Sequence, residues 1–236
     1  MSGPFDAFLD DRQPQGMGGR WFGVHTAVVV DIRDPDNQGR VKVRFPWAAD
    51  TGSDSCEAWA RLATLMAGPD RGTWFVPDPD DEVLVAFEGG DPRRPFVLGA
   101  LWNGSDAPPA AMDGDGRNEA KSIVSRNGVK VTLDDRDGKE SLVLETPGGQ
   151  KMTLRDGPGS IEIVDSNGNS MKMEASGITI ETSGKLSISA SQVGLSAGMV
   201  SVDSGISKFS GMVRADTVQT NTVIAATYTP GAGNIW

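Results

Sequence analysis

From Trp21 onward the chain breaks into short apolar segments divided by turn residues. WFGVHTAVVVDI is β-branched and apolar, and DPDNQG at residues 34–39 has turn chemistry. RVKVRFPW then alternates at period two, with Val41, Val43 and Phe45 on one side and Lys42 and Arg44 on the other. Such alternation marks a strand with one buried face. AWARLATLM, EVLVAFE and PFVLGALW read as further strands, and no segment up to Trp102 keeps a helical period over three turns. Five or so short strands in this space predict a small closed barrel or sandwich.

Beyond residue 121 strands recur at a short interval: VKVTL, SLVLE, KMTLR, IEIVD, MKMEA, ITIET, LSISA, QVGLS and MVSVD. One inward candidate from each gives Leu133, Leu144, Leu154, Ile163, Met173, Ile180, Ile188, Leu195 and Val202, and the next step lands on Phe209. The steps shrink from 11 to 7 residues toward the C-terminus. A regular strand-plus-turn repeat predicts a β-solenoid or an intertwined β-helix. Periodicity suits both. Thinness favours the intertwined form, because each buried aliphatic contributes only about 1.5–3 kcal/mol. Ordering opposes this by about 1.5 kcal/mol per residue. From residue 183 to the end only Lys185, Asp203, Lys208, Arg214 and Asp216 are charged, and small residues dominate, as a narrow wound shaft requires.

The expected organisation is therefore all-β: a flexible tail at 1–19, a small closed barrel or sandwich at 20–103, a linker at 104–121 and an intertwined β-helix at 122–236. The ten inward candidates form the core of that β-helix, and Ile235 with Trp236 put an unusually apolar end at the C-terminus.

Composition excludes several functions. The net charge of −10 makes a poor partner for phosphates or an anionic membrane surface. Residues 1–102 hold 16 acidic and 10 basic side chains, with Arg93 and Arg94 a lone pair beside a turn, so the barrel lacks the basic groove of a nucleic-acid binder. Cys56 is the only cysteine and His25 the only histidine, at unrelated places, which is a weak basis for a catalytic thiol. DPDNQG fails as a calcium loop at Gln38 and Phe45, and DGDGRN at Asp113 fails similarly. Asp134 with Asp135, or Asp165, are the candidate acids for glycan cleavage, but all sit beside turns, where Asp serves the backbone. Asn103-Gly-Ser matches a glycosylation pattern by chance, since the first residues lack a secretory signal. The expectation is no catalytic residue, cofactor or metal.

The segments GVHTAVVVDIRDPDNQGRVKVRFPW and WARLATLMAGPDRGTWFVPDPDDEVLVAFEGGDPRRPFVLGALWNG, from Trp21 to Gly104, resemble phage baseplate assembly protein V and the related VgrG-like spike proteins of contractile tails, type VI secretion and extracellular injection systems. The resemblance implies an OB-type barrel, a homotrimer and a triple-stranded β-helical needle, made in the cytoplasm and driven by force through a target envelope. It implies a separate tail hub, a PAAR-repeat tip protein and, as a weaker idea, effector cargo. It departs from phage spikes that insert a lysozyme-like domain or hold iron on paired tip histidines. The competing reading is a β-helical tail fibre or tailspike that binds or cleaves surface glycan. That reading requires groove aromatics, which residues 121–208 lack.

Overall fold

The computed structural model describes residues 20–48 and 56–227. Among these there is no α-helix, and the chain divides into two units, residues 1–184 and 185–236.

The first unit opens with a closed barrel of β1 (Val24–Asp31), β2 (Val41–Arg44), β3 (Glu57–Leu62), β6 (Glu82–Phe87) and β7 (Pro95–Ala100). Its strand order is β1-β2-β3-β7-β6. Closure comes from a short parallel pairing, Arg61 opposite Phe96 and Leu62 opposite Val97. Every other residue of each strand points inward, as the alternation predicts. Ala27, Val29, Val41, Val43, Ala60, Val83 and Val85 are wholly buried. Small and β-branched side chains suit a barrel this narrow, and one end is closed by larger ones. Trp21 meets Phe45 and Phe87 edge-on, at centroid distances of 5.4 and 5.1 Å. The amide N–H of Trp21 donates to the Gly90 carbonyl at 2.8 Å, which fixes where the chain enters. Gly90 has φ +75, and a Cβ there would stand 3.0 Å from the Phe22 ring, so glycine is required.

The DPDNQG turn joins β1 to β2 and is organised by Asp34. Its carboxylate accepts from the backbone N–H groups of Asp36, Gln38 and Arg40, and from the Arg40 guanidinium at 2.6 Å. With its oxygens taken, Asp34 works as an internal turn cap. Between β3 and β6 the chain makes a small excursion, a hairpin of β4 (Ala67–Gly68) and β5 (Arg71–Gly72).

The second part of this unit is one seven-stranded antiparallel sheet, β8 (Ala120–Val124), β9 (Lys130–Asp134), β10 (Ser141–Glu145), β11 (Lys151–Arg155), β12 (Ser160–Val164), β13 (Ser170–Glu174) and β14 (Gly177–Glu181). The strands are paired in chain order and joined by connections of two to six residues. β8 begins at Ala120, inside the stretch read as linker.

The described part of the second unit, residues 185–227, has no strand and is exposed throughout. The LSISA, QVGLS and MVSVD segments lie here without a ladder inside the chain. The winding expected from residue 122 is thus a hairpin-linked sheet as far as Glu181. Five-residue strands alternate there with connections of two to six residues, each long enough for a reversing turn.

Candidate assembly surface

Strand register sorts the sheet into two unlike faces. On one face two rows run across all seven strands. The first is Lys121, Leu133, Leu142, Leu154, Ile161, Met173 and Ile178. The second is Ile123, Val131, Leu144, Met152, Ile163, Met171 and Ile180. Thirteen of these fourteen positions are aliphatic or methionine. The exception, Lys121, is tied to Asp135 and to the Asn118 carbonyl. None of the fourteen is buried: Leu133 is 44% exposed, Ile163 43% and Ile180 56%. Monomeric soluble proteins rarely leave a continuous apolar patch beyond a few hundred Å² open to water.

The opposite face is polar along its centre. Thr132, Val143, Thr153, Glu162, Lys172 and Thr179 stand opposite one another across the ladder. Ion pairs link Lys130 to Glu145 and Arg155 to Glu162, each at 3.6 Å. Lys172 meets Glu174 at 2.6 Å. These are surface pairs that suit water.

The six inward candidates that fall on this sheet, Leu133, Leu144, Leu154, Ile163, Met173 and Ile180, all lie on the aliphatic face. The sequence reading took one residue per strand. The register brings in the partner two positions away in each case, such as Leu142 beside Leu144 and Ile161 beside Ile163. The i, i+2 alternation inside each five-residue strand was the available signal. Ile188, Leu195, Val202 and Phe209 belong to the second unit and are 73, 77, 72 and 73% exposed. Ile235 and Trp236 lie outside the described residues.

The acid candidates are engaged in local contacts. Asp134 accepts from the Arg136 guanidinium and backbone, which hold its carboxyl below the usual range. Asp135 is paired with Lys121. Asp165 accepts from the Asn169 side chain at 2.7 Å and from the backbone N–H groups of Asn167 and Asn169, which lower it to about 2. Neither Asp134 nor Asp165 has the raised value a general acid needs. His25 stacks on Trp47 at 4.5 Å, and its Nε2 is 3.1 Å from the Phe22 carbonyl. Cys56 packs on the barrel core, where burial pushes its thiol up, away from the reactive thiolate. Among the described residues no cluster of three metal-ligating side chains exists, and no helix is long and apolar enough to cross a membrane.

A closed barrel followed by a sheet with an uncovered aliphatic face defines a β-structural protein built to assemble. Two family models match in tandem and together cover more than half of the chain. The type VI secretion system/phage-baseplate injector OB domain matches residues 25–102, and the phage baseplate V C-terminal trimerisation domain matches residues 141–206. The chain carries matches to both of these baseplate V domains, the injector OB domain and the trimerisation domain. Curated relatives include the type VI secretion system spike protein VgrG1c of Pseudomonas aeruginosa, 29% identical over 56% of this chain and 20% of the relative. VgrG4b of the same organism, also named a type VI secretion system spike protein, is 33% identical over 52% of this chain and 16% of its own length. The actin cross-linking toxin VgrG1 of Vibrio cholerae is 28% identical over 46% of this chain and 10% of its own length. The chain therefore spans a fifth or less of the length of these relatives.

Proposed function

We propose that this chain is the homotrimeric spike of a contractile injection machine. It docks on a tail hub, carries a tip protein at its far end and pierces the target envelope by force. One observation carries the reading: the aliphatic face of the β8–β14 sheet, which its own chain leaves open. Three such sheets, faces inward, close a prism and give each strand's Leu, Ile or Met a dry neighbour.

The second unit supports it. Residues 185–227 make no backbone–backbone hydrogen bond among themselves. Peptide N–H and C=O groups need partners once water is excluded. Winding with two further copies supplies them and removes free sheet edges. Separation then requires unwinding, which makes the shaft kinetically resistant. In this reading residues 1–19 are a tail, 20–103 the barrel, 104–121 the linker and 122–236 the shaft. The ten inward candidates form its core, Ile235 and Trp236 seat a PAAR-repeat tip protein, and any effector rides on the tip. The chain works mechanically and catalyses nothing, in keeping with Asp134, Asp135 and Asp165 being held by neighbouring groups. The machine is assembled in the cytoplasm.

Light scattering on the purified chain tests the proposal, followed by electrophoresis in unheated detergent. Three times the chain mass, retained in detergent, is the expected result. A folded single chain overturns it.

A further inference from the structure

A threefold assembly constrains its contacts. A two-fold dimer joins identical patches, but neighbours around a three-fold axis join two different ones. Each barrel in such a ring must present a pair of unlike, complementary surfaces. This barrel has two apolar surfaces, one at the excursion beside the β1–β2 turn and one on its outer wall.

One is the excursion between β3 and β6. Leu65 is 97% exposed, Met66 50%, Trp74 74% and Phe75 73%. The Trp74 ring rests over Gly39, where a Cβ would come within 3.1 Å, so the excursion is braced against the β1–β2 turn. Between them lies a groove of about 620 Å³. The other surface is the outer wall of β1, β6 and β7. Their inward residues fill the core, which leaves Val24, Leu84, Ala86, Phe96 and Leu98 pointing out. Register places Val24, Ala86 and Phe96 in one line across the three strands. The remaining arc, β2 and β3, carries the Lys42–Glu57 ion pair and Arg44 outside, with Trp59 beneath the Arg40 guanidinium and Arg61 over the Phe96 ring of the neighbouring wall.

We infer that the Trp74–Phe75 excursion of one barrel packs on the outer wall of β1, β6 and β7 of the next copy around the trimer. This rests on the trimer reading given above. The occupant is a second copy for two reasons. First, the excursion is continuous with the assembling sheet. Asp78, three residues after Phe75 and so within about 11 Å of it along the chain, binds Arg126 of the β8–β9 turn at 2.9 Å. Second, once the sheets associate, the neighbouring barrels meet at an effective concentration of order millimolar, so a modest apolar contact suffices.

Cross-linking of the full chain tests this. In a Cys56→Ser background, Trp74→Cys and Leu98→Cys are introduced singly and together, and the assembly is treated with a short bis-maleimide. The double variant is expected to give covalent trimers on a denaturing gel, and each single variant none. Each of the two cysteines should also label about tenfold more slowly than an Arg44→Cys control, since contact excludes water. Absence of the 74–98 cross-link in a particle of three-chain mass overturns the contact and leaves the spike proposal standing. Cross-linking of Trp74→Cys alone also overturns it, because the excursions then meet each other at the axis. A one-chain mass removes the trimer reading and this contact with it.

Discussion

The Arg126 guanidinium, in the turn between β8 and β9, donates to the Asp78 carboxylate of the barrel at 2.9 Å. The pair bridges 48 positions of sequence and joins barrel to sheet. Its side chains are 72 and 39% exposed, which places it among surface ion pairs. Arg126→Ala should therefore change thermal stability by less than about 1 kcal/mol. Calorimetry should show an unchanged main transition, while hydrogen exchange around Asp78 rises.

The two faces of the sheet give a paired prediction. In the proposed trimer Ile161→Asp buries a charge among aliphatic neighbours, which is destabilising by several kcal/mol. Light scattering should then show single chains or aggregates. Lys172→Ala, on the opposite face, removes a surface pair with Glu174 and should leave the mass unchanged.

Low pH should loosen the β12–β13 turn. Hydrogen bonds from Asn169 and Asn167 hold Asp165 at about 2, below its ordinary 3.8. A depressed carboxylate contributes stability that is complete above the unfolded value and lost as pH falls through the folded one. Thermal midpoints should fall between about pH 4 and pH 2. Asp31 and Asp91, held at about 2 by Arg33 and Arg93, act in the same window in the barrel. An Asp165→Ala variant, already lacking the contact, should lose less over that range than the parent.

Gly90→Ala should weaken the barrel by about 1–3 kcal/mol. The left-handed backbone and the Phe22 ring both oppose a methyl group there. Loss of the near-ultraviolet signal of Trp21 at a lower denaturant concentration is the readout.

Much of this architecture was legible in the chain because it follows from alternation. Val41, Val43 and Phe45 were read as one face and all three are buried. SLVLE and KMTLR match β10 and β11 residue for residue. What alternation lacks is the address of the partner strand. LSISA alternates as a strand does, yet it finds no ladder within its own chain. The Trp74 excursion was hidden for another reason. Its Gly, Pro and Asp content reads as a turn, and nothing local reveals that two aromatic rings stay out in water. Half of the aliphatic face went unseen because choosing one residue per strand ignores its neighbour two positions on.

The chain-order pairing of β8 to β14 also has a consequence in time. Every contact in that sheet joins neighbours in sequence, so a single chain can close it hairpin by hairpin within microseconds to milliseconds, without waiting for another copy. Residues 185–227 have no such local route. In the proposed trimer their ordering follows an encounter between chains, so its rate rises with protein concentration while that of the sheet does not. On that proposal the sheet acts as the nucleus that aligns three chains, and ordering of the later segment follows it.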